Sequence, residues 1–271
     1  MGRTCTGLGL GPVDVVRVSC EGPGGPEAAA RTARYEALDG AAHRHGAAAV
    51  LLGHTRDDQA ETVLLGLARG SGTRSLAGMP PARGILRRPL LGLGRDVTAA
   101  VCADLGLPVW TDPANSDPAF RRTRVRRLLP ELDGALGPGL TAALARTAEI
   151  AREDADALDA LAEGLFARAS VDGVPGTGRV VLDAGVLAAE SDAVRRRTVL
   201  LAARRAGSPA GALGRRHVLA TDALITRWRG QRGTDLPGGV RAERACGRLV
   251  FTLAGDPDTD PPVARTNPDR E

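Results

Sequence analysis

The first half of the chain alternates short apolar runs with longer amphipathic stretches. Residues 12–20 place valines at strand-like spacing, and residues 47–52 form a short, continuous apolar run. A helical pattern follows each run, first over residues 26–46 and then over residues 55–69. This order of strand, helix, strand and helix predicts an α/β domain in which helices cover a parallel sheet.

The second half is mostly helical in pattern. A third helix is predicted over residues 95–105, and an arginine-rich helix over residues 119–129 is predicted to end at Pro130. Beyond Pro138 the apolar positions of one long amphipathic helix run from Leu140 to Leu165. Two more helices and a β-hairpin are then expected, at residues 190–206, 214–229 and 236–253.

These patterns divide the chain into three parts. We expect an α/β domain at residues 1–132 and a mostly α-helical domain with a small terminal β-hairpin at residues 133–254. Residues 255–271 are rich in proline and aspartate, so we expect a disordered tail.

Composition excludes several classes of protein. Hydrophobic residues make up 43% of the chain and charged residues 25%, which is usual for a soluble globular protein. No apolar run approaches the roughly 18 residues of a membrane span, and the start of the sequence lacks the apolar core of a secretory signal. The 4 cysteines are scattered without a Cys-x-x-Cys pair, so we expect no cysteine-bound metal cluster and a cytoplasmic protein.

The basic residues are unusual in kind, because all 36 of them are arginine. Arginine suits bidentate binding of phosphate and stacking on bases, which favours a nucleic-acid partner. A codon bias toward alanine, glycine, arginine and proline explains the same composition. The net charge of +4 therefore supports such a partner only weakly.

Four polar side chains follow the apolar run at residues 47–52, namely His54, Asp57, Asp58 and Glu61. Ligands of open α/β sheets bind at the carboxyl ends of the strands. Asp58 and Glu61 share one helix face, so together they can clamp an ammonium group, while Asp57 or His54 can face a metal–phosphate group. The structural alternative is a capping box from Thr55 to Asp58, which accounts for one of the acids.

Separated motifs occur in a fixed order along the first half of the chain. They are Pro26-Glu-Ala-Ala-Ala-Arg31-x-x-Arg-Tyr35, Gly53-His54-x-x-Asp57-Asp58-Gln59-x-Glu61-Thr62, Leu76-Ala-Gly-Met79, Arg88-Pro-Leu-Leu91, Trp110-x-Asp-Pro-x-Asn115-x-Asp117-x-x-Phe120-x-Arg122, Val125-Arg126 and Leu129-Pro130. Together they resemble the tRNA(Ile)-lysidine synthetase family of the N-type ATP pyrophosphatase superfamily. The resemblance covers about residues 13–132 and extends more loosely to residue 253.

The resemblance implies both a fold and a reaction. The fold is an incomplete parallel-sheet ATP pyrophosphatase domain (adenine nucleotide α hydrolase-like) followed by a helical substrate domain. The reaction is that of an ATP-dependent ligase, which adenylates the wobble cytidine of an isoleucine tRNA with a CAU anticodon. The amine of L-lysine then displaces AMP and gives lysidine. The expected partners are this tRNA, L-lysine, ATP with Mg²⁺, and a second copy of the chain in a homodimer.

The resemblance also implies roles for single residues. Asp58 and Glu61 are expected to bind lysine, with Arg126 or Arg122 as the cationic partner. His54 and Asp57 are expected to lie near ATP and Mg²⁺, and no other metal site is expected.

An arginine block occupies residues 121–127. Arg122 and Arg126 share a helix face because they are four residues apart. A solvated basic face is the usual role of such a run. The resemblance instead favours tRNA contacts for the other three arginines, Arg121, Arg124 and Arg127. Thr123 stands where the family usually has asparagine.

The family's phosphate-binding loop, Ser-Gly-Gly-x-Asp-Ser, does not occur in the 271 residues. Because its N–H groups hold pyrophosphate, we expect the chain as given to be inactive with ATP. A start codon assigned too late is the favoured explanation, since a fragment would have no use for the retained acids and arginines. The family's sheet also has two strands between those matching residues 13–18 and 48–52. Open edges, non-native pairing or covering helices are therefore expected.

Two alternatives to a ligase stay open at this point. One is a non-catalytic tRNA-binding fragment, and the other is a tRNA thiolase of the same superfamily, which the cysteine spacing disfavours. Trp110 is expected to pack near Leu107, although base stacking is conceivable, and Trp228 is expected in the core of the second domain.

Overall fold

A computed structural model describes residues 2–22, 25–70, 72–171 and 179–253. The chain forms two compact units, Met1–Ala155 and Asp156–Glu271. The helices are α1 (Gly2–Gly7), α2 (Pro26–Arg44), α3 (Arg56–Ala68), α4 (Thr73–Leu76), α5 (Arg95–Asp104), α6 (Arg121–Leu136), α7 (Leu140–Ala169), α8 (Ala184–Ala188), α9 (Asp192–Arg205) and α10 (Arg215–Thr226). The strands are β1 (Val50–Leu51), β2 (Ala82–Arg83), β3 (Leu86–Arg87), β4 (Val180–Asp183), β5 (Thr234–Leu236), β6 (Val240–Ala245) and β7 (Arg248–Leu253).

The sheet of the first unit is small and mixed. Its strand order is β1-β3-β2, with β1 parallel to β3 and β2 antiparallel to β3. Val50 lies opposite Leu86 in the parallel pair. The expected α/β class is confirmed, but among the described residues this pair is the whole parallel part of the sheet.

The strand predicted over residues 12–20 is wrong. The structure assigns these residues to neither helix nor strand, and Val15 is 88% exposed. A strand needs a neighbour for its backbone N–H and C=O groups, and no described strand pairs with this segment. Asp14 instead accepts hydrogen bonds from Arg44 at 3.1 Å and His45 at 2.9 Å, at the end of α2.

Helix α6 also departs from the prediction, because it continues through Pro130 to Leu136. A proline inside a helix removes one backbone hydrogen bond and normally favours an end there. Here the turn after the proline is anchored by Asp133. Its carboxylate accepts from the backbone N–H of Gly139 at 3.0 Å and of Leu140 at 2.8 Å.

The core of the first unit joins α3, α6 and the start of α7. Ala60 and Val63 pack with Leu129 and Leu144 in one buried cluster. Because the first turns of α7 belong to this cluster, the boundary between the compact units falls after Ala155, further along than residue 132.

Two hydrogen bonds of the Gln59 side chain tie α3 to the loop at Met79. Gln59 donates to the carbonyl of Met79 at 3.0 Å and accepts from the N–H of Met79 at 2.7 Å. Gly78, with φ +59°, must be a glycine here, since a Cβ atom would lie 2.5 Å from the Gln59 Oε1. The orientation of α3 is therefore fixed in part by the backbone of Met79.

The second unit contains an antiparallel sheet in the order β4-β7-β6-β5. Its core is built around Phe251, with Leu165, Leu182 and Leu187 among the fully buried neighbours. The predicted hairpin is confirmed as β6 and β7, but it belongs to a four-stranded sheet. Trp228, expected in this core, is instead 38% exposed.

The predicted tail at residues 255–271 lies outside the described residues. Within the part of the chain that the structure describes, no helix is long and apolar enough to cross a membrane.

Candidate functional site

Asp58 serves two purposes at the start of α3. Its Oδ2 accepts from the backbone N–H of Thr55 at 2.8 Å and from the Thr55 hydroxyl at 3.0 Å. Its Oδ1 lies 3.3 Å from Arg95 Nη2 and 3.6 Å from Arg126 Nη2. The capping interaction and the site interaction are thus both present, one on each carboxylate oxygen.

Glu61 is fully buried, with 0% of the residue exposed, and two arginines compensate its charge. Its Oε1 accepts from Arg126 Nε at 2.8 Å and from Arg95 Nη2 at 3.2 Å, and its Oε2 accepts from Arg126 Nη2 at 3.4 Å. Burial lowers the pKa of Arg126, but the Glu61 hydrogen bond and charge outweigh this effect and raise the pKa above its usual value. We call Asp58, Glu61, Arg95 and Arg126 the acid–arginine cluster.

Arg95 is the member of this cluster that the sequence did not indicate. It is the first residue of α5, and its backbone N–H donates to Asp57 Oδ2 at 2.8 Å. Asp57 therefore holds the start of α5 beside the start of α3. No local pattern distinguishes Arg95 from the other arginines, because its acidic partners lie more than 30 positions earlier in the chain.

Arg122 and Arg126 share a helix face but reach different partners. Arg122 lies 3.4 Å from the Thr62 hydroxyl and 3.9 Å from Glu27. Of the two candidate cationic partners, Arg126 is the one in contact with both Asp58 and Glu61.

The other three arginines of α6 are exposed. Arg124 donates to the carbonyls of Pro118 at 2.6 Å and Ala119 at 3.1 Å, and Arg127 donates to the carbonyl of Ser116 at 2.6 Å. These two therefore stabilise the loop before α6, and the predicted tRNA contacts remain predictions for all three, Arg121 included.

A second group of arginines surrounds Tyr35 and His54. Arg31 lies over the Tyr35 ring, 5.0 Å from its centroid, and Arg88 donates to the Tyr35 hydroxyl at 3.4 Å. Arg122 contributes a third positive charge to the same surroundings. We call Arg31, Arg88 and Arg122 the basic cluster.

Arg88 is the buried member of the basic cluster, with only 5% of the residue exposed. It donates to the carbonyl of Pro80 at 2.7 Å, but its Nε is buried without a hydrogen-bond partner among the described residues. The Nδ1 of His54 is likewise buried and unpartnered. Buried polar atoms without partners are rare, and an arginine without a carboxylate suits an anionic ligand.

The positive charges of the basic cluster lower the pKa of the Tyr35 phenol. Partial burial raises its pKa, but the hydrogen bond from Arg88 and the nearby positive charges outweigh burial and leave the pKa below its usual 10.0. The region around Tyr35 is therefore electropositive enough to favour an anion.

Comparison with known proteins identifies the family. A PP-loop domain model matches residues 4–132, and a TilS substrate binding domain model matches residues 182–250. The tRNA(Ile)-lysidine synthase of Streptomyces coelicolor is 56% identical over 249 residues, which cover 90% of this chain and 69% of that protein. The chain belongs to the tRNA(Ile)-lysidine synthase family.

Two further relatives of this chain carry the same name, tRNA(Ile)-lysidine synthase. The protein from Salinispora arenicola is 54% identical over 89% of this chain and 73% of its own length, and that from Thermobifida fusca is 52% identical over 90% and 74%. The chain is thus a member of a family of tRNA-modifying ligases, and its PP-loop domain marks it as ATP-utilising. Family membership decides against the thiolase alternative.

A solved structure shows a weaker likeness. The U34-tRNA thiolase NcsA of Methanococcus maripaludis is 19% identical, with a TM-score of 0.37 over 44% of this chain and 41% of that chain. This similarity is too low to support any inference.

The basic cluster and His54 fit ATP better than they fit a metal ion. The unpartnered Nε of Arg88 and Nδ1 of His54 suit phosphate oxygens. Among the described residues no group of three or more histidine, cysteine, aspartate or glutamate side chains could hold a metal ion. Mg²⁺ bound through phosphates needs only one or two carboxylates, but one oxygen of Asp57 is already engaged by α5, so we derive no step through Mg²⁺.

We expect the stability of the first unit to depend on pH through His54. Burial lowers the pKa of its imidazole below the usual 6.5, Arg88, Arg122 and Arg31 lower it too, and Asp58 opposes them. In the unfolded chain the imidazole titrates near its usual pKa, so between the two values only the unfolded chain binds the proton. The free energy of unfolding therefore has its full value above about pH 6.5 and falls as the pH drops through that value.

Thermal melting at pH 8 and pH 5.5 measures this dependence. From pH 8 to pH 5.5 the melting temperature of the His54→Gln variant should fall less than that of the wild type. An equal decrease in both proteins would contradict the assignment.

Proposed function

We propose that the chain acts in the ATP-dependent attachment of L-lysine to the wobble cytidine of an isoleucine tRNA with a CAU anticodon, in the cytoplasm. The observation that carries the proposal is the acid–arginine cluster, in which a fully buried Glu61 and Asp58 share two arginines. Family membership supports the reaction, and the cluster supports lysine as the amino acid.

The acids match the charge of lysine. Asp58 and Glu61 supply carboxylate oxygens on one face of α3, where an ammonium group can take the place of a guanidinium. Arg95 is the guanidinium best placed to yield, because its side chain is 40% exposed while Arg126 binds Glu61 through two nitrogens. Arg126 then stays with Glu61 and orients it, and Arg95 becomes free to meet the lysine carboxylate.

The basic cluster supports phosphate binding next to this site. ATP, when bound, supplies the adenylyl group that activates the cytidine. Arg88 and Arg122 would stabilise negative charge on phosphate, and the uncharged imidazole of His54 would donate one hydrogen bond to it from Nδ1. The Ser-Gly-Gly-x-Asp-Ser loop does not occur within the 271 residues, so this chain contributes the remaining part of the ATP site.

In the first step of the proposed reaction, the cytidine oxygen attacks the α-phosphorus of ATP and pyrophosphate leaves. The side-chain ammonium of lysine first loses a proton to become a nucleophilic amine; this amine attacks the activated carbon, AMP leaves, and the nitrogen of the new C–N bond loses a second proton. The chain's own part in the second step is to hold the lysine side chain, whose positive charge the paired carboxylates attract, and so to position it for the reaction. Assembly of the chain into a homodimer and the use of Mg²⁺ with ATP remain predictions.

The proposal is tested by measuring amino-acid binding to the 271-residue chain by isothermal titration calorimetry. We expect lysine to bind, and norleucine, which lacks the terminal amine, to bind at least about tenfold more weakly because it cannot replace a charged hydrogen bond. In a chain that also carries the Ser-Gly-Gly-x-Asp-Ser loop, ATP, lysine and the tRNA should give lysidine, detected by mass spectrometry of the nucleosides.

The same measurements separate the ligase from a non-catalytic tRNA-binding protein. Binding of tRNA without any binding of lysine, and no lysidine in the presence of the loop, would favour the latter. Equal binding of lysine and norleucine would contradict the role given to Asp58 and Glu61.

A further inference from the structure

An exposed aromatic residue lies between arginines in the loop that follows α10. Residues 227–232 read Arg-Trp-Arg-Gly-Gln-Arg, and Trp228 is an exposed residue of the second unit. We call residues 227–232 the tryptophan loop. Its sequence contains three positive charges and no acidic residue.

The backbone of the tryptophan loop is held in a defined shape. Gln231 donates to the carbonyl of Arg227 at 2.7 Å and accepts from the N–H of Arg229 at 2.7 Å. Arg241 of β6 donates to the carbonyl of Arg232 at 2.6 Å. Because the backbone is satisfied in this way, the arginine side chains of the loop are not needed to hold it.

The guanidinium groups of Arg227, Arg229 and Arg232 are exposed, and none of them bonds to another described residue. The nearby acids face Arg241 instead, with Asp235 at 2.6 Å and Glu243 at 3.7 Å. The loop therefore presents three positive charges that no carboxylate of the described residues compensates. Such a group of charges attracts a polyanion.

The indole of Trp228 is anchored without being buried. The guanidinium of Arg244 lies 5.7 Å from the ring centroid, and Arg244 itself donates to the carbonyls of Leu224 at 3.1 Å and Ile225 at 3.0 Å. The ring thus has a fixed neighbour at the end of α10 and still exposes much of its surface. A positioned, exposed aromatic ring is the platform on which an unpaired base stacks.

We infer that the tryptophan loop is an RNA-contacting surface, in which Trp228 stacks on an unpaired base and Arg227, Arg229 and Arg232 bind the flanking phosphates. The inference rests on the proposed function, which makes tRNA the RNA concerned. An acidic peptide would compensate the arginines but would leave the indole without a partner. RNA supplies a ring and a phosphate in every nucleotide, in the alternation that the loop presents.

The test is binding of an in vitro transcript of the CAU-anticodon isoleucine tRNA to the 271-residue chain, by fluorescence anisotropy at 50 and 200 mM salt. We expect Trp228→Ala to weaken binding about tenfold, the effect of one lost stacking contact, and Trp228→Phe to bind nearly as wild type.

Replacing Arg227, Arg229 and Arg232 by serine should weaken binding at low salt and reduce the slope of log Kd against log salt concentration by about 2. The matched control replaces three other exposed arginines of the same unit by serine, Arg204, Arg215 and Arg216, and should change the affinity less than threefold.

Several outcomes would overturn the inference. Wild-type affinity in both Trp228→Ala and the loop triple variant would remove it while leaving the proposed function intact. An equal loss in the two triple variants would show that only net charge matters, and equal binding by Trp228→Ala and Trp228→Phe would exclude stacking. No binding of the tRNA by the wild-type chain would overturn this inference together with the proposed tRNA substrate. Melting curves of the variants check that each one is folded.

Discussion

Replacing Glu61 by glutamine is expected to weaken lysine binding about 100-fold or more, because a charged, fully buried acceptor becomes neutral. The substitution keeps the shape of the side chain and removes the charge that Arg95 and Arg126 face. The free energy of unfolding should also fall, by about 1–3 kcal/mol, since two guanidinium groups lose part of their compensation. Titration calorimetry with lysine and chemical denaturation measure the two effects separately.

The control for Glu61→Gln is Glu163→Gln in the second unit. Glu163 is an exposed acid paired with Arg205 at 2.6 Å, and its loss should leave lysine affinity unchanged and stability within about 0.5 kcal/mol. If Glu61→Gln lowered stability but bound lysine like the wild type, Glu61 would be a structural residue only.

Replacing Arg88 by methionine is expected to weaken ATP binding while leaving stability nearly unchanged. Methionine fills a similar volume without a charge, and it removes the Nε atom, which has no hydrogen-bond partner in the described part of the chain. Removing an uncompensated, buried charge offsets the lost hydrogen bonds to Pro80 and Tyr35, and we expect the melting temperature to stay within a few degrees. In a chain that also carries the Ser-Gly-Gly-x-Asp-Ser loop, affinity for ATP should fall about 30-fold, the effect of one charged contact to phosphate.

Arg146→Met serves as the matched control for Arg88→Met. Arg146 is exposed on α7 in the same unit, so Arg146→Met removes one positive charge from the surface, whereas Arg88→Met removes a buried one. We expect less than a twofold change in ATP affinity. With the Ser-Gly-Gly-x-Asp-Ser loop present in both, equal ATP affinity with and without the Arg88→Met substitution would contradict the assignment of the basic cluster as an anion site.

Much of the helical structure could be predicted from local pattern. Helices α3, α5 and α7 follow from apolar spacing, and Asp58 and Glu61 lie on one face of α3 as their spacing predicts. These cases succeed because residues three and four positions apart in a helix share a face whatever the rest of the chain does.

Features that depend on distant parts of the chain could not be predicted. Arg95 joins acids that lie 34 and 37 positions away, and no spacing rule encodes that pairing. The valines around Val15 have the alternation of a strand, yet alternation does not supply a neighbouring strand. Trp228 is apolar enough for a core, but its place at the end of α10 leaves it exposed. Which neighbour each of these residues finds is decided by tertiary structure.

The two oxygens of Asp58 couple the start of a helix to the recognition of a ligand. A substitution to asparagine would keep an acceptor for Thr55 but lose the charge toward Arg95 and Arg126, whereas a substitution to serine would lose both. The cap of α3 and the charge toward the two arginines therefore both limit which residues can replace Asp58. Selection for a different amino-acid substrate would have to begin at Glu61 or Arg95, or acquire a new cap for α3 before Asp58 could vary.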